Sequence, residues 1–208
     1  MILTAENLCK RFNREWIFRN FSYSFSPGCY AITGPNGSGK STLLQVLWGQ
    51  LPASEGTLVY QDESGTVAAE EVYRQLTIAA PYVDLIEELT LAEIIRFHFS
   101  FKSARQGKST VELMDRMELS HARDKQVGHF SSGMKQRLKL GLALLSEVPL
   151  VFLDEPTTNL DKSATRWYWD QFSQLPPNTT VFIGSNHESE YPADAVKINL
   201  SDYKRGYK

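Results

Sequence analysis

Cysteine is nearly missing from this 208-residue chain: only Cys9 and Cys29 occur. Two thiols cannot build a disulfide framework or a four-cysteine zinc site, and such sparse use points to a reducing compartment. The four histidines, His98, His121, His129 and His187, show no metal-ligand pairing along the chain. No run approaches the roughly 18 consecutive apolar residues of a membrane-spanning helix. The opening Met-Ile-Leu-Thr-Ala-Glu lacks the basic stretch and long apolar core of a secretory signal. An excess of either charge is missing too. The 22 Lys and Arg face 24 Asp and Glu, a net of −2, which leaves no electrostatic footprint for a nucleic-acid partner. Repeats and low-complexity tracts do not occur. A composition of 42% hydrophobic and 22% charged residues excludes disorder and fits a globular chain expected in the cytosol.

The pattern along the chain alternates between strand and helix periods. Phe21, Tyr23 and Phe25 alternate with serines, the period of a half-buried strand. Pro27-Gly28 makes a turn, and Tyr30–Thr33 reads as a buried strand. From Ser41 the period becomes helical, with Leu43, Leu44, Leu47 and Trp48 at helical spacing and Gly49 as the stop. Gly56–Tyr60 and Thr66–Ala68 read as a hairpin turning at Asp62–Gly65, and Leu76–Ala80 as a further strand. From Pro81 to about Leu144 the chain reads as mainly helical. One helix holds Leu91, Ile94, Ile95, Phe97 and Phe99. A second holds Val111, Leu113, Met114 and Met117. A third holds Met134, Leu138, Leu142 and Leu145, with Lys135, Arg137 and Lys139 facing away. Strands then return at Leu150–Leu153, Val181–Gly184 and Val196–Leu200, with a helix through Trp167–Leu175. This order predicts an α/β core with a mostly parallel sheet, an N-terminal antiparallel β part and an inserted helical lobe. The boundaries expected are 1–80 and 145–208 for the core and 81–144 for the lobe.

Gly34-Pro-Asn-Gly-Ser-Gly-Lys-Ser41 fits G-x-x-x-x-G-K-[ST] without mismatch. It follows a predicted strand and opens a predicted helix, the context this phosphate loop requires. Its glycines let backbone N–H groups crowd around phosphate oxygens. The helix opening at Lys40 aims its free N–H groups and dipole at the anion. Lys40 adds a full charge for the β- and γ-phosphates, and Ser41 is placed to ligate Mg²⁺. The motif implies a nucleoside triphosphate without naming the enzyme class.

Leu150-Val-Phe-Leu-Asp154-Glu155-Pro156 puts two carboxylates at the end of a buried strand, the edge where parallel sheets bind ligands. Asp154 is suited to hold Mg²⁺. Glu155, pointing the other way, is suited to polarise an attacking water. Pro156 ends the strand.

Phe130-Ser131-Ser132-Gly133-Met134-Lys135-Gln136-Arg137 resembles the L-S-G-G-Q signature of ATP-binding cassette (ABC) ATPases. Ser131 precedes Asp154 by 23 residues, the order and distance that family shows. Thr157–Asp161 resembles its D-loop, and Asn186-His187-Glu188 its switch-histidine region. Phe12 resembles the aromatic on which adenine stacks, with Trp16 as the rival. The resemblance covers about Leu3 to Leu200 and implies the fold of a P-loop NTPase core. It implies ATP and Mg²⁺ as cofactors. Carried over residue by residue, it assigns the nucleotide to Gly34, Pro35, Asn36, Gly37, Ser38, Gly39, Lys40, Ser41 and Thr42. It adds Phe12, Ser131, Ser132, Gly133 and Asp161. Ser41 and Asp154 are implied for the metal, and Lys40, Glu155 and His187 for catalysis.

Three departures from the family pattern stand out. Ser132 replaces a glycine and Met134 a glutamine in the signature. The window Ala79–Asp84 lacks the glutamine that usually follows the strand into the helical lobe. Gln75 lies upstream of that strand, which leaves Tyr82 and Asp84 as the candidates to sense metal or water.

The resemblance implies the ATPase subunit of a transporter, peripheral on the inner face of the cell membrane. Its partners would be membrane-spanning chains, and it would pair head to tail as an ATP-dependent homodimer or with a similar cassette. The transporter-facing surface is expected around Tyr82–Phe101, with Leu85, Ile86, Leu89, Phe97, Phe99 and Phe101. The alternative is a soluble ABC ATPase acting on a ribosomal or DNA complex. A single cassette, a lobe insertion of only about 50 residues and the net charge of −2 weigh against it. A small-molecule kinase leaves Ser131–Gly133 and His187 unexplained. The cargo is not legible. A short single cassette leans toward export.

Overall fold

The computed structural model describes residues 1–204. In chain order the strands and helices begin with β1 (Ile2–Phe12), β2 (Glu15–Phe25), β3 (Gly28–Thr33) and α1 (Lys40–Leu47). Next come β4 (Glu55–Asp62), β5 (Gly65–Thr66) and β6 (Leu76–Ala79). Three helices follow, α2 (Leu91–Phe99), α3 (Thr110–Arg116) and α4 (Ser132–Leu144). The chain then forms β7 (Leu150–Asp154), α5 (Lys162–Phe172), β8 (Thr180–Gly184) and β9 (Val196–Asn199).

Two sheets result. One is antiparallel, in the order β2–β1–β4–β5; the other is five-stranded, in the order β6–β7–β8–β3–β9. Every pairing in the second sheet is parallel. The expected mostly parallel sheet with an antiparallel β part is therefore present.

Period-two alternation builds both faces of the parallel sheet. Leu150, Phe152 and Phe182 point to the side shared with the antiparallel sheet and α1, where they meet Phe21, Phe25, Leu43 and Leu44. The Phe152 and Phe182 rings stack at 4.5 Å and 6°. Val151, Leu153, Val181 and Ile183 point the other way, onto Trp167 and Tyr168 of α5 and Leu140 and Leu144 of α4. A third cluster, with Leu91, Ile95, Leu113, Met117 and Leu138, holds α2, α3 and one face of α4 together. Helix α4 thus takes part in two clusters: Leu138 and Leu142 belong to one, Leu140 and Leu144 to the other.

Local chemistry sets the helix starts. Thr90 and Ser109 each close a reciprocal capping box, with Glu93 and Glu112. Ser131 caps α4 by accepting from the Met134 N–H at 3.2 Å.

The structure corrects several details of the sequence pattern. Strand β5 ends at Thr66 rather than Ala68. Helix α5 begins at Lys162, five residues ahead of Trp167, because Asp161 caps it. Between Pro81 and Thr90 there is no helix. Lys139 does not face away: its ammonium donates to the carbonyls of Ala80 and Pro81, both at 3.2 Å. Arg137 likewise lies over the Trp167 ring at 4.9 Å.

Candidate active site

Because β3, β7 and β8 run parallel, their C-terminal ends meet at one edge. Register fixes this: Asp154 pairs with Gly184, and Gly184 with Ile32. The loop after β3, the carboxylates after β7 and the histidine segment after β8 therefore emerge together.

The loop Gly34–Gly39 turns on glycines in the left-handed region, with φ of 138° at Gly34, 74° at Gly37 and 102° at Gly39. Gly39 admits no other residue. A Cβ there would lie 2.2 Å from Cγ2 of Ile17, so the loop packs directly on β2. The first turn of α1 has no side-chain cap, so its N–H groups stay available to an anion. Lys40 is 6% exposed. Its ammonium donates to the carbonyls of Gly34, at 2.9 Å, and Pro35, at 3.4 Å, which folds it back over the loop. The Ser38 hydroxyl is buried without a partner among the described residues. Thr42 follows Ser41 in the second half of the first helical turn.

Asp154 is 1% exposed. Its Oδ2 accepts from the Tyr82 hydroxyl at 3.0 Å. Its Oδ1 has no hydrogen-bond partner among the described residues. Burial pushes the carboxyl above the usual carboxylate range, and the Glu155 charge adds to the rise; the nearby Ser41 and Tyr82 hydroxyls and the Lys40 charge pull the other way. A buried carboxylate oxygen without a partner beside a serine hydroxyl suits a hard cation with oxygen ligands, so these residues fit Mg²⁺.

Glu155 is exposed, with φ of 47°. Its N–H continues the sheet one step further by donating to the Gly184 carbonyl at 2.9 Å. His187 is also exposed, and its N–H donates to the Ser185 hydroxyl at 2.9 Å. Asn186 crosses to the phosphate loop, where its amide donates to Asn36 Oδ1 at 2.8 Å.

The signature segment lies elsewhere. Ser131, Gly133, Met134, Arg137, Asn159 and Asp161 line a hollow of about 240 Å³ to which no residue of 34–42 contributes. Asp161 Oδ1 is engaged with the Ala164 N–H at 2.7 Å. Ser132 opens α4 beside Ser131. Phe12 ends β1 and is 45% exposed, with the Lys10 ammonium 5.1 Å from its ring centre, so it is no core aromatic. Its rival Trp16 is covered by the guanidinium groups of Arg11 and Arg19, at 5.3 and 4.7 Å.

The profile of the family described as "ABC transporter" matches residues 18–158. The chain belongs to that family. Nod factor export ATP-binding protein I of Cupriavidus metallidurans is 29% identical over 193 residues, covering 91% of this chain and 64% of the relative. The ABC transporter ATP-binding protein YxlF of Bacillus subtilis is 31% identical over 204 residues, covering 95% of this chain and 67% of the relative. The chain therefore spans only 64% and 67% of the length of these two relatives. An ABC transporter ATP-binding protein from Pyrococcus furiosus superposes with a TM-score of 0.77 at 20% identity, over 98% of this chain and 99% of that one. The ATP-binding subunit of another ABC transporter gives 0.75 at 25% identity, over 89% and 80%. ABC cassettes bind and hydrolyse ATP, so the chain belongs to an ATPase family.

Several contacts of this cassette carry no sequence signal. Gln136 donates its side-chain amide to the Pro156 carbonyl at 2.8 Å, tying α4 to the segment after Glu155. Lys204 reaches the Gly37 carbonyl at 3.3 Å. Glu190 is buried beneath the histidine segment. Of the two candidates for the missing glutamine, Tyr82 reaches Asp154, while the charge of Asp84 acts on Lys139.

Proposed function

We propose that this chain is the ATP-hydrolysing subunit of an ABC transporter, working with membrane-spanning partner chains at the inner face of the cell membrane. The observation that carries the reading is the meeting of Lys40, Asp154, Glu155 and His187 at one sheet edge. The backbone of Gly34–Gly39, with Lys40 and Thr42, cradles the triphosphate. Ser41 and Asp154 would hold Mg²⁺, which when bound offsets charge on the β- and γ-phosphates. Glu155 takes the proton of the attacking water, and His187 orients that water or the γ-phosphate. Phe12 offers an exposed face to adenine.

Ser131, Ser132, Gly133 and Asp161 serve the nucleotide of a second cassette, so the active unit is a two-fold pair. Their separation from the phosphate loop supports this arrangement. The core of 1–80 and 145–208 and the lobe of 81–144 then act as two parts of one engine. A groove of about 400 Å³ between them, lined by Tyr73, Ile86, Phe97 and Phe101 among others, is the surface we assign to the membrane partner. Those four side chains are 43–53% exposed, and exposed apolar patches of this kind mark partner sites. Among the described residues no helix is long and apolar enough to cross a membrane.

The test is ATP hydrolysis by the purified chain together with its co-purification from membranes. Mg²⁺-dependent release of phosphate and sedimentation with membranes are expected. Turnover without membrane recovery, and with ribosomes or DNA instead, would favour the soluble alternative.

A further inference from the structure

Glu190 is a buried acid, 3% exposed, three residues beyond His187. No salt bridge among the described residues involves it. A buried carboxylate without a cation is costly unless hydrogen bonds satisfy it. Here donors do so. Oε1 accepts from the Thr157 N–H at 3.0 Å and from the Thr157 hydroxyl. Oε2 accepts from the Ser185 hydroxyl.

These two partners flank the reacting groups. Thr157 lies two residues after Glu155, and Ser185 two residues before His187. Ser185 passes the connection on, since its oxygen accepts the His187 N–H at 2.9 Å. The Glu190 backbone closes the loop, its N–H donating to the His187 carbonyl at 3.0 Å. Its own carbonyl accepts from the Tyr168 hydroxyl at 2.9 Å, which fastens the assembly to α5. Glu155 needs such support, because a non-glycine residue at φ 47° persists only where its surroundings over-determine it.

We propose that Glu190 is a positioning residue that holds Glu155 and His187 in one rigid unit through Thr157 and Ser185. The inference rests on the roles given to those two residues above. Glu190 touches neither nucleotide nor water. It acts by preventing the loop after β7 and the loop after β8 from moving independently. Displacing a reacting group by about 1 Å can cost on the order of 10²-fold in rate.

The experiment compares variants of the full chain by kcat, KM and directly measured ATP affinity. Glu190→Ala should lower kcat about 10- to 100-fold and leave ATP affinity within about threefold. Glu190→Gln should stay within about threefold of wild type. Its amide oxygen keeps both Thr157 bonds, and the Ser185 hydroxyl can turn to donate to the His187 carbonyl, already 3.4 Å away. In a Glu155→Gln, His187→Ala background, Glu190→Ala should change the residual rate less than about twofold, because nothing is left to position. Should Glu190→Ala fail to fold, Thr157→Val removes one bond only and should lower kcat about three- to tenfold at unchanged KM.

Wild-type kcat in folded Glu190→Ala or in Thr157→Val overturns the proposal. So does a loss of ATP affinity in step with kcat, or an undiminished effect in the double-variant background. If Glu155→Gln itself turns over at the wild-type rate, the reading of the site fails. If Glu155→Gln is slow and Glu190→Ala is not, only this inference fails.

Discussion

Tyr82 donates its hydroxyl to Oδ2 of Asp154 across 3.0 Å, joining the turn after β6 to the carboxylate at the end of β7. Burial, with the Asp154 charge, pushes the phenol's pKa well up, so Tyr82 remains a neutral donor. Its ring stacks on Trp48 with centroids 6.1 Å apart. Two residues back, Lys139 of α4 grips the Ala80 and Pro81 carbonyls. The carboxylate ending β7, the turn after β6 and helix α4 are thus linked by side chains in a position where the family's glutamine is missing.

Tyr82→Phe should therefore leave a buried carboxylate oxygen unpaired, a loss of about 1–3 kcal/mol in stability. The hydroxyl lowers the Asp154 pKa, so its removal should raise that pKa further. Proton competition with Mg²⁺ then sets in at higher pH. Mg²⁺ titrations of ATP hydrolysis at pH 6 and pH 8 check this: the variant should need more metal, with the larger gap at pH 6.

Lys40→Ala should abolish tight ATP binding. The loop amides remain, but the charge aimed at the phosphates is gone, and the Gly34 and Pro35 carbonyls lose the group that orders them. Calorimetric titration is the measurement. An affinity within about threefold of wild type, under 1 kcal/mol, would sink the assignment.

Glu155→Gln should bind ATP normally and hydrolyse it about 10²–10⁴ times more slowly, the usual worth of a general base. With Mg-ATP it should accumulate as a dimer, since the nucleotides that bridge a two-fold pair are not consumed. Adding Ser131→Arg, which places bulk and charge in the hollow beside Gly133 and Asn159, should return it to monomer. Size-exclusion chromatography with light scattering decides between these outcomes.

The groove proposed for the membrane partner can be tested without touching the candidate ATP site. Leu85 is half-buried against the lobe core, so its replacement would confuse folding with docking. Ile86, Phe97 and Phe101 are 43%, 48% and 53% exposed. Ile86→Asp combined with Phe101→Asp should release the chain from membranes and leave basal ATPase activity unchanged. Membrane retention in a folded variant would remove this surface from consideration.

His98 lines the same groove, where burial, with the Lys102 charge adding to it, lowers its pKa from 6.5 to about 4. Its Nε2 pairs with the Ser146 hydroxyl at 2.9 Å. The unfolded chain binds the proton more readily, so stability falls as pH drops from about 6.5 toward 4 and is level above. The full effect is on the order of 3 kcal/mol. Denaturation of His98→Gln across pH 4–7 should show a shallower acid slope than wild type.

Contiguous chemistry was legible in the sequence. The phosphate loop, the acidic strand end and Ser131–Gly133 each hold the chemistry proposed for them in a few adjacent residues. Backbone geometry needs those residue types at that spacing. Alternation in Phe21–Phe25 and the apolar runs at Leu150 and Val181 marked strands, because burial on a pleated sheet follows a period of two. Side-chain direction on α4 was not legible, since Lys139 turns inward to carbonyls that the lobe brings to it. The start of α5 lies ahead of its apolar residues because Asp161 caps the helix, a contact that apolar spacing does not reveal. Tertiary structure alone decided the rest. Tyr82 and Asp154 stand 72 residues apart, and Thr157 and Glu190 33 apart. Such pairs meet only because the strands line up as β6–β7–β8–β3–β9, an order set by packing that no local pattern encodes.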